Sequence, residues 1–302
     1  MADTPRSKAS DFDPEVLRLF DQYVHGLIDR RAFLAGAGRF AAGAMTATGL
    51  LAALSPQFAS AQQVRPDDKR LSTSHVQFES PKGYGTGRGY LARPAAASGP
   101  LPVVLVVHEN RGLNPHIEDV ARRLALEDYI AFAPDALFPL GGYPGDEDAA
   151  RALFAKLDQD KTHEDFLAAA DMLGKLEGGN GRMGAVGFCY GGGIVNFLAT
   201  RLPDLAAAAP FYGSPPEVED VDRIQAELLV VLAANDERIN TAWPAYEAAL
   251  EQAGVRYALY QPPDTQHGFH NDTTPRYDED AAREAWRRTT ALFTRTLRED
   301  AA

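Results

Sequence analysis

The stretch Gly184-Ala185-Val186-Gly187-Phe188-Cys189-Tyr190-Gly191-Gly192-Gly193 restricts the fold more than any other part of the chain. An apolar strand, Met183 to Gly187, runs through a glycine-flanked turn at Cys189 into a helical pattern, Gly191 to Leu202. This is the G-x-nucleophile-x-G form of a strand-to-helix turn, whose central residue takes a strained backbone conformation while small neighbours let the turn close. Such a turn aims the sulfur away from the sheet. It also sets the Tyr190 N–H at a helix N-terminus, where the positive end of the dipole favours a thiolate. A dinucleotide-binding loop competes for a Gly-rich junction of this kind, but it needs G-x-G-x-x-G and belongs to the first βα unit of a chain. The plainer alternative is a buried cysteine at a Gly-rich helix start.

Around this junction, short apolar runs alternate with longer amphipathic ones. Val76-Gln77-Phe78 and Gly87 to Leu91 read as an antiparallel pair joined through the Gly83 to Gly87 turn. Val103 to His108 is an unbroken apolar run, the mark of a strand covered on both faces. Ile117 to Leu126 has helical spacing, and Tyr129 to Ala133 is the next strand. Further strands are expected at Leu205–Phe211, Leu228–Ala233 and Val255–Tyr260, and further helices at Asp165–Leu176, Trp243–Ala253 and Asp280–Leu297. This alternation predicts an α/β fold: a mostly parallel, doubly wound sheet with helices on both faces, in a single catalytic domain over 62–302.

The 302 residues, 45% hydrophobic and 24% charged, suffice for a substantial core. A formal net charge of −12 argues against a nucleic-acid-binding surface, which needs clustered cations. A single cysteine rules out an intramolecular disulfide, and no paired Cys and His spacing suggests a structural zinc site.

Residues 1–61 read as a targeting segment. Arg30-Arg31-Ala32-Phe33-Leu34 precedes a moderately apolar run, Ala35 to Leu54, and Ala59-Ser60-Ala61 has the A-x-A pattern of a cleavage site. These features predict passage through the twin-arginine export machinery, cleavage after Ala61 and a periplasmic protein, or a cytoplasmic or tethered one if the segment stays uncut. Arg39 interrupts the apolar run, so a stable membrane span is not expected. The competing reading is an amphipathic N-terminal helix, because Val16, Leu17, Phe20, Tyr23, Val24 and Leu27 recur at helical spacing after Asp13-Pro14.

Two residues beyond the turn complete a constellation. Asp236 follows the strand ending at Ala233, and His267 follows the strand ending at Tyr260. Nucleophile, acid, then histidine is the chain order of α/β-hydrolases, with all three at C-terminal strand ends. In that arrangement His267 relays the proton of Cys189 to the leaving group, and Asp236 holds its tautomer. Glu237 is the adjacent rival for Asp236, and His270 the rival for His267, with a loop or lid contact as its expected role. The strand ending at His108 leads into Glu109-Asn110-Arg111-Gly112, from which the fold draws an oxyanion donor; the backbone N–H groups of Asn110 and Tyr190 are assigned there. Arg111, Tyr143 and Phe269 are candidate substrate contacts.

With these residues in place, the chain resembles the dienelactone hydrolase family. The matching stretches are Val107 to Asn114, Ala133-Pro134-Asp135, Gly187 to Gly192, Pro210 to Gly213 and His267-Gly268-Phe269, in the family's order across Val76 to Leu297. The resemblance implies a Cys-His-Asp hydrolase that opens enol-lactones through a thioester, without metal or organic cofactor. It also implies that Glu109 pairs with the cysteine thiol at rest and helps generate thiolate once substrate binds. The family grips its substrate carboxylate with two arginines, yet this chain carries Phe138-Pro139 and His270-Asn271 at those places; Arg111 or Arg276 could substitute. The closer likeness is to the exported, twin-arginine subgroup.

The expected activity is therefore hydrolysis of a small ester or lactone. A non-catalytic ligand-binding protein on the same fold would bind tightly without turnover. A thiol-redox protein would consume peroxide, although Cys189 has no resolving partner. Substrate identity and oligomeric state are not legible in the sequence.

Overall fold

The computed structural model describes residues 7–41 and 46–298. Residues 1–6 and 42–45 of the expected targeting segment, and 299–302 of the expected catalytic domain, lie outside the described residues. The chain opens with four helices, α1 (Pro14–Val24), α2 (Arg30–Ala37), α3 (Ala47–Leu54) and α4 (Phe58–Ala61). It continues through β1 (Leu71–Ser80), β2 (Gly85–Pro94), β3 (Leu101–Val107), α5 (Pro115–Leu126), β4 (Ile130–Pro134), α6 (Glu147–Phe154) and α7 (Gln159–Gly174). The second half comprises β5 (Gly179–Phe188), α8 (Tyr190–Arg201), β6 (Leu205–Phe211), β7 (Glu227–Val231), α9 (Glu237–Asn240), α10 (Trp243–Ala253), β8 (Tyr257–Tyr260) and α11 (Glu279–Phe293).

The strands form one sheet in the order β1-β2-β4-β3-β5-β6-β7-β8. β1 and β2 are antiparallel, with Val76 opposite Gly89 and Phe78 opposite Gly87, and β2 is antiparallel to β4. From β4 to β8 every pairing is parallel. β3 shows why its sequence is uniformly apolar. Val103, Leu105 and Val107 point into the core beneath α7, α8 and α10, whereas Val104 and Val106 point into the core beneath α5 and α11. A strand with helices over both faces has no side to leave polar.

The expected doubly wound sheet is present. Two helices were not anticipated: α6 lies in a stretch with no assigned element, and α9 is a single turn after β7. α7 starts at Gln159, six residues before the expected Asp165, because Asp158 caps it by accepting from the Asp160 and Lys161 N–H groups.

The N-terminal helices form a small layer with its own core: Val16, Leu17, Phe20, Tyr23, Phe33, Leu50, Leu51 and Leu54 are all buried. Asp13 caps α1 and Asp29 caps α2, each accepting from a backbone N–H. Phe20, Tyr23 and Phe33 pack ring against ring at 5.5–6.3 Å. The apolar spacing on α1 is the buried stripe of a packed helix, and the layer lies over the C-terminal ends of the parallel strands.

Candidate active site

Cys189 sits between β5 and α8 with φ 56° and ψ −114°, a strained conformation for a non-glycine residue. Its glycine neighbours are required by contact. A Cβ on Gly187 would lie 2.2 Å from the Gly191 carbonyl oxygen, and one on Gly191 would lie 2.3 Å from that of Val107. The turn therefore packs against the end of β3, which brings the Asn110 loop beside the nucleophile position.

Two loops deliver the acid and the histidine. Asn235 bridges Gln266 in parallel, the Asn235 N–H donates to the Thr265 carbonyl, and the Ala234 N–H donates to the Thr265 hydroxyl. These bonds set Asp236 next to His267, with Oδ2 2.5 Å from Nδ1, and both side chains are buried. Glu237, the rival acid, is exposed. His267 Nε2 is buried with no hydrogen-bond partner, and a ring nitrogen of His267 lies within 4.8 Å of the Cys189 sulfur.

The nearest polar partner of that sulfur is one the sequence reading did not anticipate. His25, just past the end of α1, places Nε2 3.4 Å from Cys189 Sγ. Its Nδ1 lies 2.8 Å from the Asp21 carbonyl oxygen and 3.3 Å from the Asp21 carboxylate. Its ring meets that of His267 edge-on at 4.7 Å. Arg238 Nη2 lies 3.0 Å from His25 Nε2 and 3.4 Å from His267 Nδ1. The sulfur and one nitrogen from each histidine fall within 4.8 Å of one another, a spacing that also suits a soft divalent cation.

Electrostatics favour a thiolate here. Burial opposes ionisation of Cys189, but the neighbouring His267 and His25 outweigh it and bring its pKa down to about 5. Burial likewise opposes protonation of His267, yet the sulfur and Asp236 raise its pKa to about 10. The site thus holds an imidazolium beside a sulfur anion.

The loop after β3 departs from its expected role in one respect. Glu109 accepts a hydrogen bond from Asn271 Nδ2 at 2.9 Å, and among the described residues it makes none with Cys189. The resting contact of the sulfur is His25. Asn110 donates through its side chain to the Val24 carbonyl, at the end of α1. Arg111 is buried, donates to the same carbonyl and pairs with Glu147 at 3.5 Å. Tyr143 donates to Glu147, and its ring lies edge-on to Phe58 at 6.3 Å.

Two expectations are corrected. Phe269 does not touch the cavity: it is fully buried against Tyr212, because the turn at Gly268 (φ 83°) points its ring into the core. His270 is no loop contact either. It stacks on Phe188 at 5.1 Å and nears Trp286 at 5.7 Å, and burial drives its pKa down to about 3.

A cavity of about 330 Å³ opens beside Cys189, lined on the catalytic side by Glu109, Arg111, Tyr143, His267 and Arg276. Phe20, Tyr23, His25, Leu51 and Phe58 of the N-terminal layer supply the opposite wall. A second, more apolar cavity of about 710 Å³ lies on the other side of His25 and Cys189, against Phe154, Tyr190, Ile194 and Phe197.

The sheet order, the strained turn and the residues gathered at the strand ends define an α/β-hydrolase. More narrowly, the model of the dienelactone hydrolase family matches residues 88–297, and the chain belongs to that family. A second model, described as YqhI-like, matches residues 4–42. The "Putative hydrolase fragment YghX" of Escherichia coli K12 is 52% identical over 114 residues, 38% of this chain and 97% of that one. A "Putative carboxymethylenebutenolidase" of Synechocystis is 32% identical over 238 residues, 70% of this chain and 92% of that one. Among solved structures, a "Putative Dienelactone Hydrolase" from Klebsiella pneumoniae superposes with a TM-score of 0.65 at 30% identity, covering 74% of this chain and 99% of that one.

Proposed function

We propose that this hydrolase cleaves a small ester or lactone through a thioester on Cys189. The observation that carries the reading is the lone cysteine at φ 56°, with the hydrogen-bonded His267–Asp236 pair beside it. The sulfur attacks the acyl carbon, and the oxyanion that forms is met by the backbone N–H groups of Asn110 and Tyr190. His267 gives its proton to the departing alkoxide as the carbon–oxygen bond breaks, leaving the acyl group on sulfur. His267 then takes a proton from water, the hydroxide adds to the thioester, and the thiolate returns as the carboxylic acid leaves and gives its proton to solvent. Asp236 holds the imidazole orientation and stabilises its charged form.

The name carboxymethylenebutenolidase, borne by several relatives, denotes a lactone that carries a carboxylate. Arg30, Arg111 and Arg276 line the cavity and are arginines within reach of such a group, with Arg30 already paired to Asp148. Glu109 lies on the cavity wall, held by Asn271. Hydrolysis of p-nitrophenyl acetate and of a small lactone tests the reading. Cys189→Ala must abolish both, and turnover surviving that change rejects the thioester route.

Export, with the segment retained on the exported protein, is a separate part of the proposal, on the strength of Arg30-Arg31 and the run that follows. Fractionation of the host cell with intact-mass measurement tests it: a protein confined to the cytoplasm rejects it.

A further inference from the structure

The N-terminal layer makes too many specific contacts with the catalytic centre to be a passive leader. The last carbonyl of α1, on Val24, accepts from the side chains of both Asn110 and Arg111, the residues of the proposed oxyanion loop. Tyr23 and Arg30 bind Asp148, and the Arg151 guanidinium both donates to the Tyr23 carbonyl and lies 4.1 Å over its ring. Arg276 covers Phe20 and faces Asp21 at 3.5 Å. The chain is then bolted down as it leaves: Gln57 N–H donates to the Thr273 carbonyl, and the Gln63 and Val64 N–H groups donate to the buried Asp119. Ala61, the expected cleavage point, is itself 5% exposed and packed between these anchors.

We propose that residues 12–41 and 46–61 are a permanent part of the active site, with His25 serving as a second imidazole partner of the Cys189 sulfur and the layer forming the outer wall of the substrate cavity. The proposal rests on Cys189 being the nucleophile. Its geometry is complete on the His25 side. Nδ1 donates to the Asp21 carbonyl, and between the sulfur at 3.4 Å and Arg238 Nη2 at 3.0 Å lies Nε2. The thiol proton can pass to that nitrogen, leaving a thiolate that accepts a hydrogen bond from His25. His267 Nε2, with no partner in the resting site, stays available for the leaving group.

The charges facing His25 come from every element around it. Asp21 stands on its own helix, Cys189 on the elbow, His267 on the loop after β8 and Arg238 on α9, with Arg276 behind Asp21. The two anionic groups favour a protonated ring; Arg238 and His267 oppose it. Burial also opposes protonation, but the sulfur and Asp21 outweigh these and raise the His25 pKa. The wall has a consequence for specificity. With Phe58 and Leu51 closing the cavity opposite Tyr143, room for the acyl chain is set by the N-terminal layer rather than by the sheet.

The test uses the full-length chain, whose single cysteine makes thiol chemistry unambiguous. The rate of iodoacetamide alkylation is followed against pH in wild type and His25→Asn, with circular dichroism to confirm the fold. The expected result is an upward move of the alkylation profile, with at least a tenfold slower reaction at pH 6 and at least a tenfold lower kcat/KM. An unchanged profile, or a faster enzyme, overturns the role of His25. Phe58→Ala reads the wall without touching the reacting groups, and the butyrate-to-acetate ratio of kcat/KM should rise at least fivefold. An unchanged ratio overturns the wall. Active enzyme that lacks residues 1–61 by intact mass overturns both. Loss of activity in Cys189→Ala beside a silent His25→Asn removes this proposal and leaves the nucleophile standing; activity in Cys189→Ala removes the nucleophile itself.

Discussion

Replacing Asp236 by asparagine keeps the shape of the side chain and removes the charge facing His267. The two groups are 2.5 Å apart at their nearest atoms and buried on both sides, so water screens them little. With charge centres roughly 4 Å apart and an effective dielectric near 20, their attraction is about 4 kcal/mol. A hydrogen bond from the asparagine retains about 1 kcal/mol of that. The remaining ~3 kcal/mol corresponds to roughly a 100- to 200-fold loss of kcat/KM. An asparagine that presents its N–H₂ to Nδ1 would also select the wrong tautomer, which deepens the loss. Ester hydrolysis at pH 7.5 measures this, with Glu237→Gln as the control because Glu237 is exposed. A folded Asp236→Asn protein within threefold of wild type, or a Glu237→Gln protein that loses as much, would refute the assignment of the acid.

Three further outcomes are expected. The profile of kcat/KM should be flat between limbs near pH 5 and pH 10, falling on the acid side as the sulfur is protonated and on the alkaline side as His267 loses its proton; a single limb near pH 7 contradicts the ion pair. Gly191→Ala forces a methyl to within 2.3 Å of the Val107 carbonyl, and should cost about 3 kcal/mol and lower Tm by roughly 6–12 °C in thermal unfolding. His270 is neutral in the folded protein with a pKa near 3, below its unfolded value, so it makes stability fall as pH drops below about 6.5. By pH 5 that contribution reaches about 2 kcal/mol; urea midpoints at pH 7 and 5 should therefore differ less in His270→Phe than in wild type.

The parallel sheet and the elbow were legible because their causes are local. A strand such as Val103–Val107 records its two covered faces in five consecutive apolar residues, and Gly187 and Gly191 record the contacts that no side chain can share. The proximity of Asp236 to His267 was legible through chain order and strand ends, although the bonds that bring them together depend on Thr265, which nothing in the sequence marks. Phe269 was misread because adjacency to His267 says nothing of direction, which the positive φ of Gly268 decides. His25 was illegible for a different reason. It is 164 residues from Cys189, and an amphipathic helix before paired arginines suits both an export segment and a packed layer. The burial of Phe20, Tyr23 and Phe33, and hydrogen bonds such as those that end on Val24, distinguish the packed layer in the full chain.

The central claim is a covalent acyl group on Cys189. It is tested most directly by mixing the full-length enzyme with p-nitrophenyl acetate, quenching in acid within the first turnover and mapping the adduct by peptide mass spectrometry. The account predicts a gain of one acetyl group on the peptide containing Cys189, which disappears in wild type on longer incubation and persists in His267→Ala. Turnover with no adduct on that peptide, or an adduct only on another residue, would contradict it.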